Sequence, residues 1–120
     1  DSLPAKHIQE KITLTRDFVD NFKNIDIFAL YIFDDYLQPI INSNAMVIAE
    51  KMAGELIYNG KIYVLDMHGI IICRYLEQMS GNRIKIFSEK DKQGEIIAKQ
   101  DFDNEYKIMG RVVWQSSFLN

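Results

Sequence analysis

The segment Lys61–Gln78, KIYVLDM-HG-IIICRYLEQ, constrains the fold most strongly. Two apolar-rich runs with β-branched and aromatic residues flank the dipeptide His68-Gly69, which is too short to connect anything but adjacent antiparallel strands. The segment therefore predicts a hairpin with strands Lys61–Met67 and Ile70–Gln78. Asn59-Gly60 ahead of it and Ser80-Gly81-Asn82 behind it are further turn signals. The second of these leads into Arg83–Ser88, RIKIFS, where polar and apolar residues alternate. A short strand is expected at Glu95–Lys99 and a long closing strand at Tyr106–Gln115, with a bulge or bend at Gly110. Glu89–Gln93 and the acidic Asp101–Glu105 read as loops.

Upstream, Ile27–Pro39, IFALYIFDDYLQP, is an apolar strand running into a polar turn that presents Asp34, Asp35 and Tyr36 and closes on Pro39. Asn42-Ser43-Asn44 is a turn, Ala45–Ala49 a strand, and Glu50–Asn59 a connection whose type the sequence leaves open. Residues 1–11 read as a tether, apart from a short strand beginning at Lys11 and running to Leu14. Thr15 and Asp17 suit the start of a short helix over roughly 16–23, with Phe18, Val19 and Phe22 on one face. The sum is a mainly β domain of hairpins over 12–120 with one short N-terminal helix. Turn signals fall about every eight to twelve residues.

Composition narrows the function. The 120 residues fit one domain, with 48% hydrophobic and 26% charged residues. The net charge of −3 and pI of about 5.3 argue against direct contact with nucleic-acid phosphates. No apolar run reaches the roughly 18 residues of a membrane span, and no signal peptide is visible, so a cytoplasmic protein with no membrane partner is expected. The first residue is Asp1 rather than Met, which suggests a piece of a longer protein.

On chemistry alone no site stands out. Adjacent acids such as Asp34 and Asp35 point to opposite sides of an extended backbone and do not converge on one ion, so a solvated turn is the better reading. His7 and His68 are isolated, and His68 sits in a hairpin turn. Cys73, the single cysteine, lies in an apolar run and reads as core rather than as a reactive thiol. The scattered aromatics read as core or interface, and Glu89–Lys92 as a solvated cluster. No phosphate loop, zinc spacing or nucleophile elbow occurs, and no cofactor or metal is expected.

The ordered set of pieces resembles the C-terminal domain of LexA-like and phage repressors, the self-cleaving S24 peptidase family, over roughly Ile12 to Trp114. In that family a strand enters a Gly-Asp-Ser-Met-x-Pro motif carrying the nucleophilic serine. Here the strand enters Asp34-Asp35-Tyr36-Leu37-Gln38-Pro39, so Asp35 and Pro39 match, Leu37 replaces the methionine and Tyr36 replaces the serine. The hairpin that follows matches the strand pair carrying the family's lysine, with Arg74 in the lysine position and Tyr75-Leu76 after it. Gly81–Ser88 is similar to the family's next strand. Ile108-Met109-Gly110-Arg111-Val112-Val113-Trp114 is similar to its closing Ile-x-Gly-Arg-Val-Val-Trp.

The resemblance implies an S24-like β fold and a role in repressor dimerisation. DNA would be contacted through an N-terminal helix-turn-helix domain outside this sequence. The substitutions imply that the peptidase is degenerate. A Ser–Lys dyad needs a small hydroxyl and an amine able to lose its proton, whereas Tyr36 is long and planar and a guanidinium stays charged. A Tyr–Arg pair could in principle form a nucleophilic phenolate, but a stacking or hydrogen-bonded contact is the simpler expectation. The family cuts itself at an Ala-Gly or Cys-Gly bond ahead of the nucleophile. The Ala53-Gly54 of this chain lies after Tyr36, and no such dipeptide precedes Ile12.

The expectation is thus a non-cleaving domain controlled by an antirepressor or other partner, with a cleft formed by Asp34, Asp35, Tyr36, Pro39 and Arg74. Two alternatives remain: a self-cleaving peptidase with an atypical nucleophile such as Ser43, and a module that binds a peptide or small ligand in the vacated cleft. The run Val112-Val113-Trp114 places apolar residues on both sides of one strand, and only one side can face the domain's own core. A homodimer using the 106–120 segment, Val112 and Trp114 foremost, is therefore expected.

Overall fold

The computed structural model describes residues 26–51 and 57–116. They form one seven-stranded sheet, every neighbouring pair antiparallel. The strands are β1 (Ile27–Tyr31), β2 (Met46–Glu50), β3 (Lys61–Met67), β4 (Ile70–Met79), β5 (Arg83–Phe87), β6 (Glu95–Ala98) and β7 (Lys107–Gln115), and the helix α1 (Lys99–Glu105) precedes β7. Across the sheet the order is β1-β2-β7-β3-β4-β5-β6.

The β3–β4 hairpin forms as its sequence predicts. His68 and Gly69 both adopt positive φ, 50° and 93°, the twist that joins two right-handed strands through two residues. Their register pairs Met67 with Ile70 and continues to Lys61 with Leu76. β3 is apolar along most of its length because both its faces are covered. Val64 packs into one core with Leu30, Val47, Ala49 and Cys73. Tyr63 and Leu65, on the opposite face, pack with Ile72, Leu76, Ile84 and Phe102. The Tyr63 hydroxyl accepts a hydrogen bond from the Tyr58 backbone N–H at 2.7 Å, which satisfies the polar tip of a wholly buried ring.

The closing strand runs through the middle of the sheet, between β2 and β3, and carries two irregularities. Val64 pairs with Gly110 but Leu65 pairs with Ile108, leaving Met109 as the extra residue of a bulge at the predicted place. A second shift separates Ile48–Trp114 from Ala49–Val112 and leaves Val113 extra.

One expectation is overturned. Asp101–Glu105 is not a loop but most of α1. Phe102 is 1% exposed and pins the segment to the second core, Lys99 pairs with Asp103 at 2.8 Å one turn on, and Phe102 and Tyr106 stack at 5.1 Å. With one apolar residue in seven, the segment has no periodicity to read; burial of Phe102 supplies what propensity lacks. The expected N-terminal helix, the tether, the Lys11–Leu14 strand, His7 and Ala53-Gly54 lie outside the described residues. No helix among the described residues is long and apolar enough to cross a membrane.

Candidate functional site

The β1–β2 connection is held by its own apolar residues. Leu37 and Ile41 are each 1% exposed and plug the first core, with the Ile41 N–H donating to the Leu37 carbonyl at 2.9 Å. The Gln38–Pro39 peptide is cis. With Leu37 fixed inward, Asp34, Asp35 and Tyr36 are carried to the edge of β4 and the β5–β6 loop, while Pro39 is exposed.

Tyr36 and Arg74, 38 positions apart, meet there. The Arg74 guanidinium carbon lies 4.2 Å from the Tyr36 ring centroid, a cation–π stack. Arg74 Nη1 donates to the Cys73 carbonyl at 2.7 Å and contacts Asp34 Oδ2 at 3.4 Å. Both partners of that ion pair are shielded, their side chains being 14% and 23% exposed, so water screens the pair less than it would at the surface. Asp34 also accepts the Tyr36 N–H through Oδ1 at 3.2 Å, which fixes the turn.

Asp35 points the other way, as adjacent acids do, and binds Lys90 Nζ at 2.8 Å. That bond, ahead of the opposing burial and the further attraction of the lysine charge, lowers the Asp35 pKa. Lys90 was not among the residues expected at the site. Its ammonium also lies 5.6 Å from the Tyr36 ring centroid, and its N–H donates to the Tyr36 carbonyl at 3.1 Å. Tyr36 is thus within range of two cations.

The β5–β6 loop that carries Lys90 is itself tied down. Ser88, the buried polar residue, accepts the Asp91 N–H through Oγ at 3.0 Å. Gly94 has a φ of 59°, and a side chain there would run into the Ile86 carbonyl. Tyr75 donates its hydroxyl to Glu89 Oε2 at 2.6 Å, and Glu89 also contacts Lys92 at 3.3 Å. Burial, and then the Glu89 carboxylate, push the Tyr75 phenol up to about 12.

Because that phenol prefers its protonated form in the folded protein, its contribution is intact below the unfolded value near pH 10 and is lost as pH rises toward about 12. We predict that Tyr75→Phe melts somewhat below wild type at neutral pH but loses less of its stability between pH 9 and 11. Parallel slopes in that window, measured by thermal melts, would exclude the assignment.

Cys73 is fully buried directly beneath this site. Burial, with the Asp34 charge adding to it, raises its thiol pKa and keeps the group protonated and inert. Ser43 donates weakly to the Phe33 carbonyl at 3.4 Å, with no base in contact among the described residues. His68 is exposed in its turn and lies 3.5 Å from Glu105. Among the described residues no three His, Cys, Asp or Glu side chains converge on a metal position.

Tyr36 and Arg74 also line a cleft of about 120 Å³ whose other walls include Ile86, Phe87, Glu95 and Tyr106. The sequence matches the family profile described as Peptidase S24-like over residues 1–113. The chain belongs to the S24-like peptidase family. A comparison with curated proteins finds no match. In this S24-like domain the strand–turn presenting Tyr36 and the hairpin strand presenting Arg74 are side by side. Asp34 adds a carboxylate next to Arg74.

The two residues expected at a dimer contact are placed differently. Val112 registers with Ala49 and packs against the first core. Trp114 registers with Ile48, the neighbouring residue of β2, and so lies on the opposite face. The bulge at Val113 produces this division.

Proposed function

We propose that this S24-like domain is the non-cleaving dimerisation and regulatory part of a bacterial or prophage transcriptional repressor, working in the cytoplasm. DNA binding belongs to a helix-turn-helix domain outside this sequence. The observation that carries the reading is the stack of Arg74 on Tyr36 beside Asp34. A dyad needs a small hydroxyl facing a base that can be neutral; these positions hold a bulky phenol ring covered by a cation paired to a carboxylate. Two helix-turn-helix units joined through a dimer bind a symmetric operator together, because the second contact becomes intramolecular. With self-cleavage lost, release from DNA falls to an antirepressor or another partner.

Two measurements test this. Incubated at pH 9, or with an activated recombinase filament, the protein should remain at its intact mass; a single specific cut abolished by Tyr36→Phe or Arg74→Ala would overturn the reading. By sedimentation equilibrium the chain should be a dimer that Trp114→Ala weakens by about tenfold or more, since large aromatics dominate such contacts. A monomer at high micromolar concentration would refute the dimer.

A second reading draws on the cleft itself. A concave site with apolar and aromatic walls and a few charged groups has the general make-up of a ligand site. It makes this domain a module in which ligand binding replaces cleavage as the signal.

A further inference from the structure

The cleft beside Tyr36 is lined by charges of both signs. One of them is Arg74. Of its three side-chain nitrogens only Nη1 is hydrogen-bonded among the described residues, leaving Nε and Nη2 with donors to offer although the side chain is only 14% exposed. A shielded guanidinium with unused donors favours an acceptor, most strongly a planar carboxylate that can take two parallel bonds. Glu95, also in the lining, is exposed and makes no ion pair among the described residues. Asp91, whose Oδ1 accepts the Gly94 N–H at 3.0 Å, adds a second negative charge. Tyr36, Phe87 and Tyr106 line the cleft as well.

The Tyr106 hydroxyl senses both poles. Its pKa is raised first by burial and then by Glu95 and Glu105, against the pull of Arg74. Arg74 and Glu95, both in the cleft lining, thus act on the same phenol in opposite directions.

A simple anion at Arg74 would also meet Asp91 and Glu95 of the lining and lie near Asp34, the partner of Arg74. A simple cation would meet Arg74. A molecule carrying both charges escapes both penalties, and a space of about 120 Å³ suits a small molecule rather than an extended peptide. We propose that the cleft binds a small dipolar ligand of the α-amino-acid type, its carboxylate on Arg74, its ammonium toward Glu95 and Asp91, and an apolar side group against the aromatic walls. This rests on the reading of the cleft as a ligand site and names the class of ligand.

The test is a calorimetric and NMR titration of the chain with L-valine, L-leucine and L-methionine. Three analogues of leucine accompany them: 4-methylpentanoate with only the carboxylate, 3-methylbutylamine with only the ammonium, and N-acetyl-leucinamide with neither. At least one amino acid should bind saturably, and the analogues should bind about tenfold or more weakly, as expected for loss of a charge-assisted bond. Arg74→Gln and Glu95→Gln should each weaken the amino acid by a similar factor. Glu95 is exposed and makes no ion pair among the described residues, so its variant keeps the test open if Arg74→Gln folds poorly.

Equal binding of N-acetyl-leucinamide would overturn the dipolar class and leave a cleft that recognises amides. Amino-acid binding unchanged in both variants would overturn the assignment to this cleft. No binding by any probe would overturn the ligand-site reading as well.

Discussion

Gly110→Ala should be among the most damaging single substitutions in this domain, lowering the melting temperature by about 10 °C, the fall expected for roughly 2–3 kcal/mol of overpacking in a domain of this size. Gly110 is buried where β7 bulges between β2 and β3. A Cβ built there lies 2.6 Å from the Glu50 carbonyl oxygen and 2.9 Å from Phe28 Cε1. The first of these is backbone on a paired strand and cannot swing aside as a surface side chain would. Relief requires β7 to move away from β2, which opens a strand pair in the middle of the sheet and disturbs the first core.

Gly69→Ala is the control. Its φ of 93° strains any residue with a Cβ, yet nothing lies within 4 Å, so its cost is conformational, about 1–2 kcal/mol. Calorimetry and urea unfolding of both variants check the order. A Gly110→Ala protein that melts like wild type, or above Gly69→Ala, would show that β7 does not approach β2 as described.

Placing the family's Ser and Lys at positions 36 and 74, where the resemblance puts its dyad, should not produce cleavage. In the double variant Tyr36→Ser/Arg74→Lys, the new amine would stand beside Asp34, which contacts Arg74 at 3.4 Å in the native site. An adjacent, partly shielded carboxylate favours the ammonium form and so disables the lysine as a base. On the non-cleaving reading, the charge on Asp34 is a further obstacle beside the guanidinium at residue 74. The double variant should show no specific cut by mass spectrometry at pH 9 over a day. Adding Asp34→Asn or Asp34→Gly removes the carboxylate; if these positions form the site, any recovered self-cleavage should appear only in the triple variant. A double variant that cuts itself efficiently would show that Asp34 does not control this position.

The local features of the fold were legible in the sequence because their causes are local. Alternation along Arg83–Phe87 follows from side chains pointing to opposite faces of a strand, and the apolar run within Lys61–Met67 from a strand covered on both faces. The turns at Asn59-Gly60, His68-Gly69 and Gly81-Asn82 follow from positive φ at Gly60, His68, Gly69, Gly81 and Asn82. The bulge beside Gly110 was foreseeable for the same reason: a glycine within an apolar strand signals close approach of another backbone. The ordered motifs also sufficed to point to the S24-like family.

The tertiary structure decided what depends on residues distant in the chain. No pattern within Lys107–Gln115 says that this last strand inserts between β2 and β3, since strand order reflects how several apolar faces are covered at once. α1 exists because Phe102 is buried, not because its window looks helical. The same holds for the site. Lys90 belongs to a charged run that reads as solvated loop, and only the β4–β5–β6 meander, with Gly94 admitting close approach to Ile86, brings it over Tyr36. Asp34 and Asp35 look alike in sequence; the pleat of the chain sends one to Arg74 and the other to Lys90, and that divergence sets the electrostatics of the site.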